Sequence, residues 1–154
     1  MIQRLVTSQV VNKPIDVVWR FFATPKNLNK ITPPRMGFNF VSGVDKEMKE
    51  GLLIEYKVQI LPLITTSWLT EITYLTPLES FVDEQRIGPY RFWYHEHRFQ
   101  SLGTQTLISD TITYSLPFGI IGNSPIPSAF VRSQLQSIFS YRHEKVNAIF
   151  NDDN

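Results

Sequence analysis

Between residues 36 and 115 apolar and polar residues alternate through six consecutive segments, near 36–42, 51–61, 65–75, 79–87, 91–100 and 104–115, with Gly, Pro or Ser at the junctions. A period of two belongs to strands with one buried face. Six such strands joined by short turns build an antiparallel sheet of successive hairpins. The ends of the chain follow other rhythms. Residues 2–11 set Val, Ile and Leu among Gln, Thr and Ser and predict a further strand, closed by Asn12-Lys13-Pro14. In the helix that Pro14 opens, Ile15, Val18, Trp19 and Phe22 fall at i, i+3, i+4 and i+7, the spacing of one buried face. Thr24-Pro25 marks the start of a second short helix and Thr32-Pro33-Pro34 its end, because proline removes donors and restricts the residue before it. From Ser124 to Phe150 helical spacing returns, and Val131, Leu135, Ile138, Phe139, Val146 and Ile149 share one stripe.

The order is therefore one strand, two short helices, six strands and one long helix. It predicts an α+β fold, a curved antiparallel sheet of seven strands with the long C-terminal helix against one face. One helix does not fill so large and twisted a sheet, so a cavity is expected between them.

Length and composition narrow the functions. The 154 residues suit one domain, expected over 1–150 with a frayed end at 151–154, and a chain of this size buries roughly 68–70% of its unfolded surface without staples. Absence of cysteine removes disulfides, thiolate zinc sites, iron–sulfur clusters and cysteine nucleophiles, and suits a reducing compartment, so the cytoplasm is the expected location. A net charge of +1 with no block of like charge speaks against nucleic acid as a partner. No apolar run nears the roughly 18 residues a membrane span needs, and residues 1–11 lack the continuous apolar region of a signal peptide. The sequence has no Gly-rich phosphate loop after a strand, no HExxH and no GxSxG, so no nucleotide cofactor and no serine hydrolase chemistry is expected.

One stretch is more specific: Phe81-Val82-Asp83-Glu84-Gln85, then Gly88-Pro89-Tyr90, Trp93, His95, His97 and Phe99, then Gly103-Thr104, Asp110, Tyr114 and Leu116-Pro117-Phe118-Gly119. It resembles a bacterial subgroup of the SRPBCC superfamily, also called START-like, whose members share the helix-grip fold of the birch pollen allergen and the aromatic polyketide cyclases. The resemblance covers nearly the whole chain. It implies a helix-grip fold and a ligand pocket, with ligand-binding or cyclase and dehydrase-like roles in the subgroup, but no single reaction.

Strand parity then sorts the chemistry. Trp93, His95, His97 and Phe99 share one face of their strand, Phe81, Asp83, Gln85 and Ile87 one face of the strand before, and Thr106, Ile108, Asp110, Ile112 and Tyr114 one face of the strand after. The opposite faces carry Glu84, Arg86, Glu96, Arg98, Gln105, Ser109, Thr111 and Thr113 and belong to solvent. The simplest registers set Asp83 opposite His95 and His95 opposite Asp110. A His between carboxylates can act as general acid or base, so His95 is the catalytic candidate with Asp83 and Asp110 orienting it. The same three residues would equally satisfy one another as a buried polar layer. His95 and His97 at i, i+2 with an inward Asp also fit a metal-ligand pattern, but a third His is missing and no metal or other cofactor is expected.

Candidate ligand contacts are Phe81, Gln85, Trp93, His97, Phe99, Ile112 and Tyr114 from the sheet and Leu135, Phe139 and Arg142 from the helix. Phe81, Trp93, Phe99 and Tyr114 would serve as ordinary core fillers too. Arg142 falls amid the apolar stripe, so its head is expected to reach Asp83, Asp110 or a ligand, or else to run out to water along its stem. The expected function is binding of a mainly hydrophobic small molecule, lipid-like or polyketide-like. The alternatives are a cofactor-independent cyclase, dehydratase or isomerase using His95, or a regulatory protein-interaction domain with a collapsed pocket and an unspecified partner.

Overall fold

Alternation decides the architecture in the computed structural model, which describes residues 1–61, 64–116 and 128–151. Strand β1 (Ile2–Val11) leads into helix α1 (Ile15–Phe22) and two 3-10 helices, Pro25–Ile31 and Pro34–Met36. Strands β2 (Asn39–Ser42), β3 (Leu53–Leu61), β4 (Ile64–Thr76), β5 (Ser80–Ile87), β6 (Phe92–Ser101) and β7 (Thr106–Ser115) follow, and helix α2 (Ser128–Asn151) comes last. The sheet order is β1-β7-β6-β5-β4-β3-β2, and every neighbouring pair is antiparallel. This is the helix-grip α+β arrangement that the sequence predicts. No helix of the described residues is long and apolar enough to cross a membrane.

Prolines shape the first connection. The second short helix is a 3-10 helix rather than an α-helix: Pro25 stands at its start, and Thr24 Oγ1 donates back to the Arg20 carbonyl (2.7 Å) instead of capping the new turn. Pro33-Pro34 ends that helix but opens another short 3-10 turn, and Gly37 at φ +51° closes it, so β2 starts at Asn39 rather than at 36. Register shifts interrupt β2–β3, β3–β4 and β4–β5, and such bulges bend strands and add twist, which curls this half of the sheet.

Asp83 pairs with His95, as the simplest register requires. The next hairpin differs. Ser101 pairs with Thr106, so four residues rather than two make the turn, with Gly103 at φ +81° and the Leu102 N–H donating to the Gln105 carbonyl. His97 therefore stands opposite Asp110, and His95 opposite Ile112. A shift of two residues keeps every side chain on its predicted face while changing every partner.

The inner face of the sheet is covered from two sides. Helix α1 buries Val18 and Phe22, and Trp19 meets Phe81 and Phe99 edge-on at 6.0 and 5.4 Å. Helix α2 buries Leu135, Phe139, Val146 and Phe150. Ile149, placed on the stripe by its spacing, is exposed, and Phe150 takes the inner position against Phe21 at 5.3 Å. Asn151 is helical rather than frayed, since its Oδ1 accepts from the Asn12 backbone N–H (2.6 Å) and ties the helix end to β1. The expected helix start at 124–127, Pro117-Phe118-Gly119 and the tail 152–154 lie outside the described residues.

Two glycines with similar backbone test the turn geometry. At Gly43 (φ +81°) a Cβ would sit 2.1 Å from the Leu53 carbonyl oxygen, whereas at Gly51 (φ +79°) it would meet nothing within 4 Å. Gly51→Ala is expected to cost about 1 kcal/mol, the penalty for a left-handed residue alone. Gly43→Ala should cost clearly more, roughly 2–4 kcal/mol, because backbone must move as well. Denaturant unfolding of both variants checks the order.

Candidate functional site

Three neighbouring strands build the polar layer, β5 with Asp83, β6 with His95 and His97, and β7 with Asp110. His95 and His97 are two apart, so parity turns both rings inward, tilted at 37° to each other with centroids 3.8 Å apart. Each ring lies between both carboxylates. His95 Nε2 is 2.9 Å from Asp110 Oδ1, and His95 Nδ1 is 3.3 Å from Asp83 Oδ2. His97 Nε2 is 2.7 Å from Asp83 Oδ2. His97 Nδ1 lies 2.9 Å from Asp110 Oδ1 but off the line a ring N–H needs, so no hydrogen bond forms there. Trp93 Nε1 donates to the other Asp83 oxygen at 3.4 Å.

The layer is dry. Asp83 keeps 17% of its side chain exposed and Asp110 9%, while Phe81 stacks on His97 at 4.1 Å and Phe139 stands edge-on to His95 at 5.5 Å. Burial alone would raise both carboxyl pKa values, but the imidazoles of His95 and His97 outweigh it and hold Asp83 and Asp110 well below the usual carboxylate range. For His95 burial opposes the charge, and Asp83 together with Asp110 overcomes it, so the ring's pKa is raised.

Asp83, His95 and His97 open onto a cavity of about 290 Å³ between the sheet and α2, and Asp110 lies behind them, away from it. Of the other sequence candidates, Phe81, Trp93, Leu135, Phe139 and Arg142 line this cavity. Gln85, Phe99, Ile112 and Tyr114 do not. Gln85 clamps the turn that carries Tyr90, accepting from its N–H (3.1 Å) and donating to its carbonyl (2.7 Å). Phe99 packs among Trp19, Phe22 and Phe81, Ile112 is wholly buried, and the Tyr114 hydroxyl donates to Gln3 of β1 (2.9 Å).

Arg142 makes no ion pair with Asp83 or Asp110. Its guanidinium sits over the Phe139 ring at 4.8 Å, one turn back along α2, and its Nε is buried without a hydrogen-bond partner. The helical wheel locates the stripe but not the depth at which a long side chain stops. The corrected β6–β7 register also removes any ranking of His95 above His97, since both rings contact both aspartates.

The far wall was missed by sequence reasoning. Tyr56 and Trp68 stack at 5.9 Å, and Tyr56 Oη lies 3.1 Å from Thr70 Oγ1. Trp68 Nε1 is buried with no partner. Burial, with Asp83 adding to it, pushes the Tyr56 phenol pKa far up, so it remains a neutral hydroxyl. The signal was available: Ile54, Tyr56 and Val58 on β3 and Trp68, Thr70 and Ile72 on β4 alternate inward in the same way as the residues of β5 to β7.

No protein-family model and no curated protein matches the sequence. Solved structures match the fold from end to end. A protein from Chromobacterium violaceum aligns over 97% of this chain and 99% of its own, with a TM-score of 0.72 and 16% identity. A START superfamily protein from Mycobacterium smegmatis aligns over 96% of both chains with a TM-score of 0.72 and 9% identity. An aromatase/cyclase from a Streptomyces species aligns over 98% of both, with a TM-score of 0.70 and 14% identity. The fold is therefore that of the START-like, or SRPBCC, proteins, as the sequence resemblance implies.

Two substitutions separate the paired from the unpaired charge. Asp110→Ala strands two buried imidazoles and should cost roughly 3–5 kcal/mol. Arg142→Met gives up only a cation–π contact and an unpaired buried N–H, and should change stability by less than about 1 kcal/mol. Chemical denaturation of both variants checks the contrast, and equal losses would place Arg142 in the polar layer after all.

Proposed function

We propose that the chain binds a mainly hydrophobic small molecule, lipid-like or polyketide-like, that carries at least one oxygen acceptor. The cavity carries this reading: about 290 Å³ walled largely by aromatic and aliphatic side chains, with two buried N–H donors, Trp68 Nε1 and Arg142 Nε, left without partners. Apolar walls reward burial of apolar surface. Unpaired buried donors are costly, and an acceptor on the occupant relieves that cost. The volume lies at the small end of the roughly 300–1,000 Å³ typical of ligand pockets, which suits a compact molecule better than a long acyl chain. Fold likeness to a START superfamily protein and to an aromatase/cyclase supports the same reading. The cavity supports this reading over that of a regulatory domain with a collapsed pocket.

A second reading makes the occupant a substrate. Asp83 and His95 reach the cavity, and an imidazole held by carboxylates is placed to move a proton at a bound carbonyl compound without a cofactor, as in a cyclase, dehydratase or isomerase reaction.

An environment-sensitive apolar dye, 1-anilinonaphthalene-8-sulfonate, is expected to bind the folded chain with micromolar affinity, about −8 kcal/mol, and to be displaced by apolar acids or phenols. Ile138→Trp places a larger side chain in the cavity wall and should weaken dye binding about tenfold or more at near-unchanged stability. Fluorescence titration checks both, and absence of dye binding to folded protein at about 100 μM, where even a weak site of about −5.5 kcal/mol would fill, refutes the reading.

A further inference from the structure

Asp83, His95 and His97 each present one ligand-type atom, and the three atoms lie within 4.8 Å of one another. We propose that they hold a divalent first-row transition ion, with Asp83 Oδ2, His95 Nδ1 and His97 Nε2 as ligands and the remaining positions open to the cavity. The site stands independently of what else the cavity takes.

Spacing supports it first. Donors around an ion at about 2.0–2.2 Å stand roughly 3.0–3.5 Å apart. Asp83 Oδ2 is 3.3 Å from His95 Nδ1 and 2.7 Å from His97 Nε2, and with all three ligand-type atoms within 4.8 Å of one another, side-chain adjustment would seat the ion. The donor set is suitable: two imidazoles and a carboxylate are a recurrent ligand group for zinc and for non-haem iron, and three protein ligands leave positions for water or substrate. The missing third histidine, which argued against a metal in the sequence, is replaced by the carboxylate on the neighbouring strand.

The second shell is the more specific feature. A ligating His usually gives its other ring nitrogen to a carboxylate, which fixes the tautomer and turns the ring. Here one carboxylate serves both rings: Asp110 Oδ1 is 2.9 Å from His95 Nε2 and 2.9 Å from His97 Nδ1, on the side away from the cavity. For His97 the ring would have to rotate to bring its N–H into line, since Nδ1 makes no hydrogen bond as placed.

Counting protons leads to the same place. Two neutral imidazoles carry two N–H groups, yet four ring nitrogens stand 2.7–3.3 Å from carboxylate oxygens. With both N–H groups turned to Asp110, the two remaining nitrogen lone pairs lie on the Asp83 side, 3.3 and 2.7 Å from its Oδ2, where a dipositive ion would balance both aspartates. Ligation would occupy the His95 Nδ1 lone pair that proton transfer requires, so the metal-loaded cluster would not carry out the His95 acid–base chemistry of the second reading. Its open positions would instead polarise an oxygen of the occupant.

The test uses the full chain, freed of any affinity tag and stripped with chelator, titrated with Co²⁺ by visible absorption and with Zn²⁺ by calorimetry. One ion per chain is expected, with a dissociation constant of about 10 μM or below and the absorption bands of nitrogen- and oxygen-ligated Co²⁺. Asp83→Asn and His97→Ala should each weaken binding about 100-fold, and Asp110→Asn about 10–100-fold, in variants whose circular dichroism matches the parent. His143→Ala, the third and exposed histidine, should bind as the parent does. The proposal is overturned if the parent takes up neither ion at about 100 μM, a concentration that detects a site as weak as about −5.5 kcal/mol, or if Asp83→Asn and His97→Ala bind unchanged. It is overturned too if His143→Ala removes the binding. Dye binding to the stripped protein is scored separately, so loss of one property leaves the other decided.

Discussion

One helix has to cover the inner face of a seven-stranded antiparallel sheet, and much of the structure follows from its inability to do so alone. Helix α2 contributes four buried residues, Leu135, Phe139, Val146 and Phe150, spread along its length. The turn of proline-rich chain after β1 closes one end, where Trp19, Phe22 and Ile31 join the core. Between these supports the walls are held apart by rings that pack against one another rather than across the gap. Tyr56 stacks on Trp68, Trp68 meets Trp93 edge-on at 5.1 Å, and Trp93 contacts Tyr90 at 4.8 Å. Such rings carry large area and few torsions, so a cavity lined by them keeps its shape where aliphatic chains would relax inward.

The polar layer sits in the half of that face where β1, β7, β6 and β5 pair with one another without a register shift. Pairing runs unbroken from Ser80↔Arg98 to Glu84↔Tyr94 and from Phe92↔Ser115 to Ser101↔Thr106. Four ionisable side chains buried together demand that regularity, because charges out of water are tolerated only when partners stand at contact distance. Phe81, Trp93 and Phe139 then surround the cluster and lower the local dielectric, which strengthens each contact. The bulged half of the sheet, β2 to β4, carries no such cluster among its described inward residues and gives the cavity its curvature instead.

Face and partner were legible in the sequence to different degrees, for a physical reason. Parity survives any even shift in register, so the inward positions of Asp83, His95, His97 and Asp110 followed from alternation alone. Pairing depends on how many residues a turn consumes, and the turn at Leu102 to Gln105 uses four where two were the simplest choice. Arg142 shows the same limit on a helix: its angle placed it inside the stripe, while the reach of its four-bond stem let the head settle over Phe139. Phe99, Ile112 and Tyr114 are inward, as parity requires, yet they lie under α1 or beside β1 rather than beneath the cavity. Which part of a curved sheet a helix covers is a tertiary fact that no strand pattern encodes.

The two polar walls differ in kind, and that difference sets what the cavity can discriminate. On the β5–β7 side the aspartate oxygens and the histidine nitrogens other than His97 Nδ1 are engaged with one another, so an occupant gains little by approaching them unless a cation rearranges their contacts. On the β3–β4 and α2 side, Trp68 Nε1 and Arg142 Nε are donors with nothing to donate to. A pure hydrocarbon would fill the apolar space and leave both unpaired, forfeiting roughly 1–3 kcal/mol for each. A molecule of the same shape with one well-placed oxygen avoids part of that loss, and an anionic oxygen gains more through the guanidinium charge. On the proposed reading, preference for oxygenated over plain apolar molecules would come from these two donors, and the apolar rings would supply affinity without choosing between them.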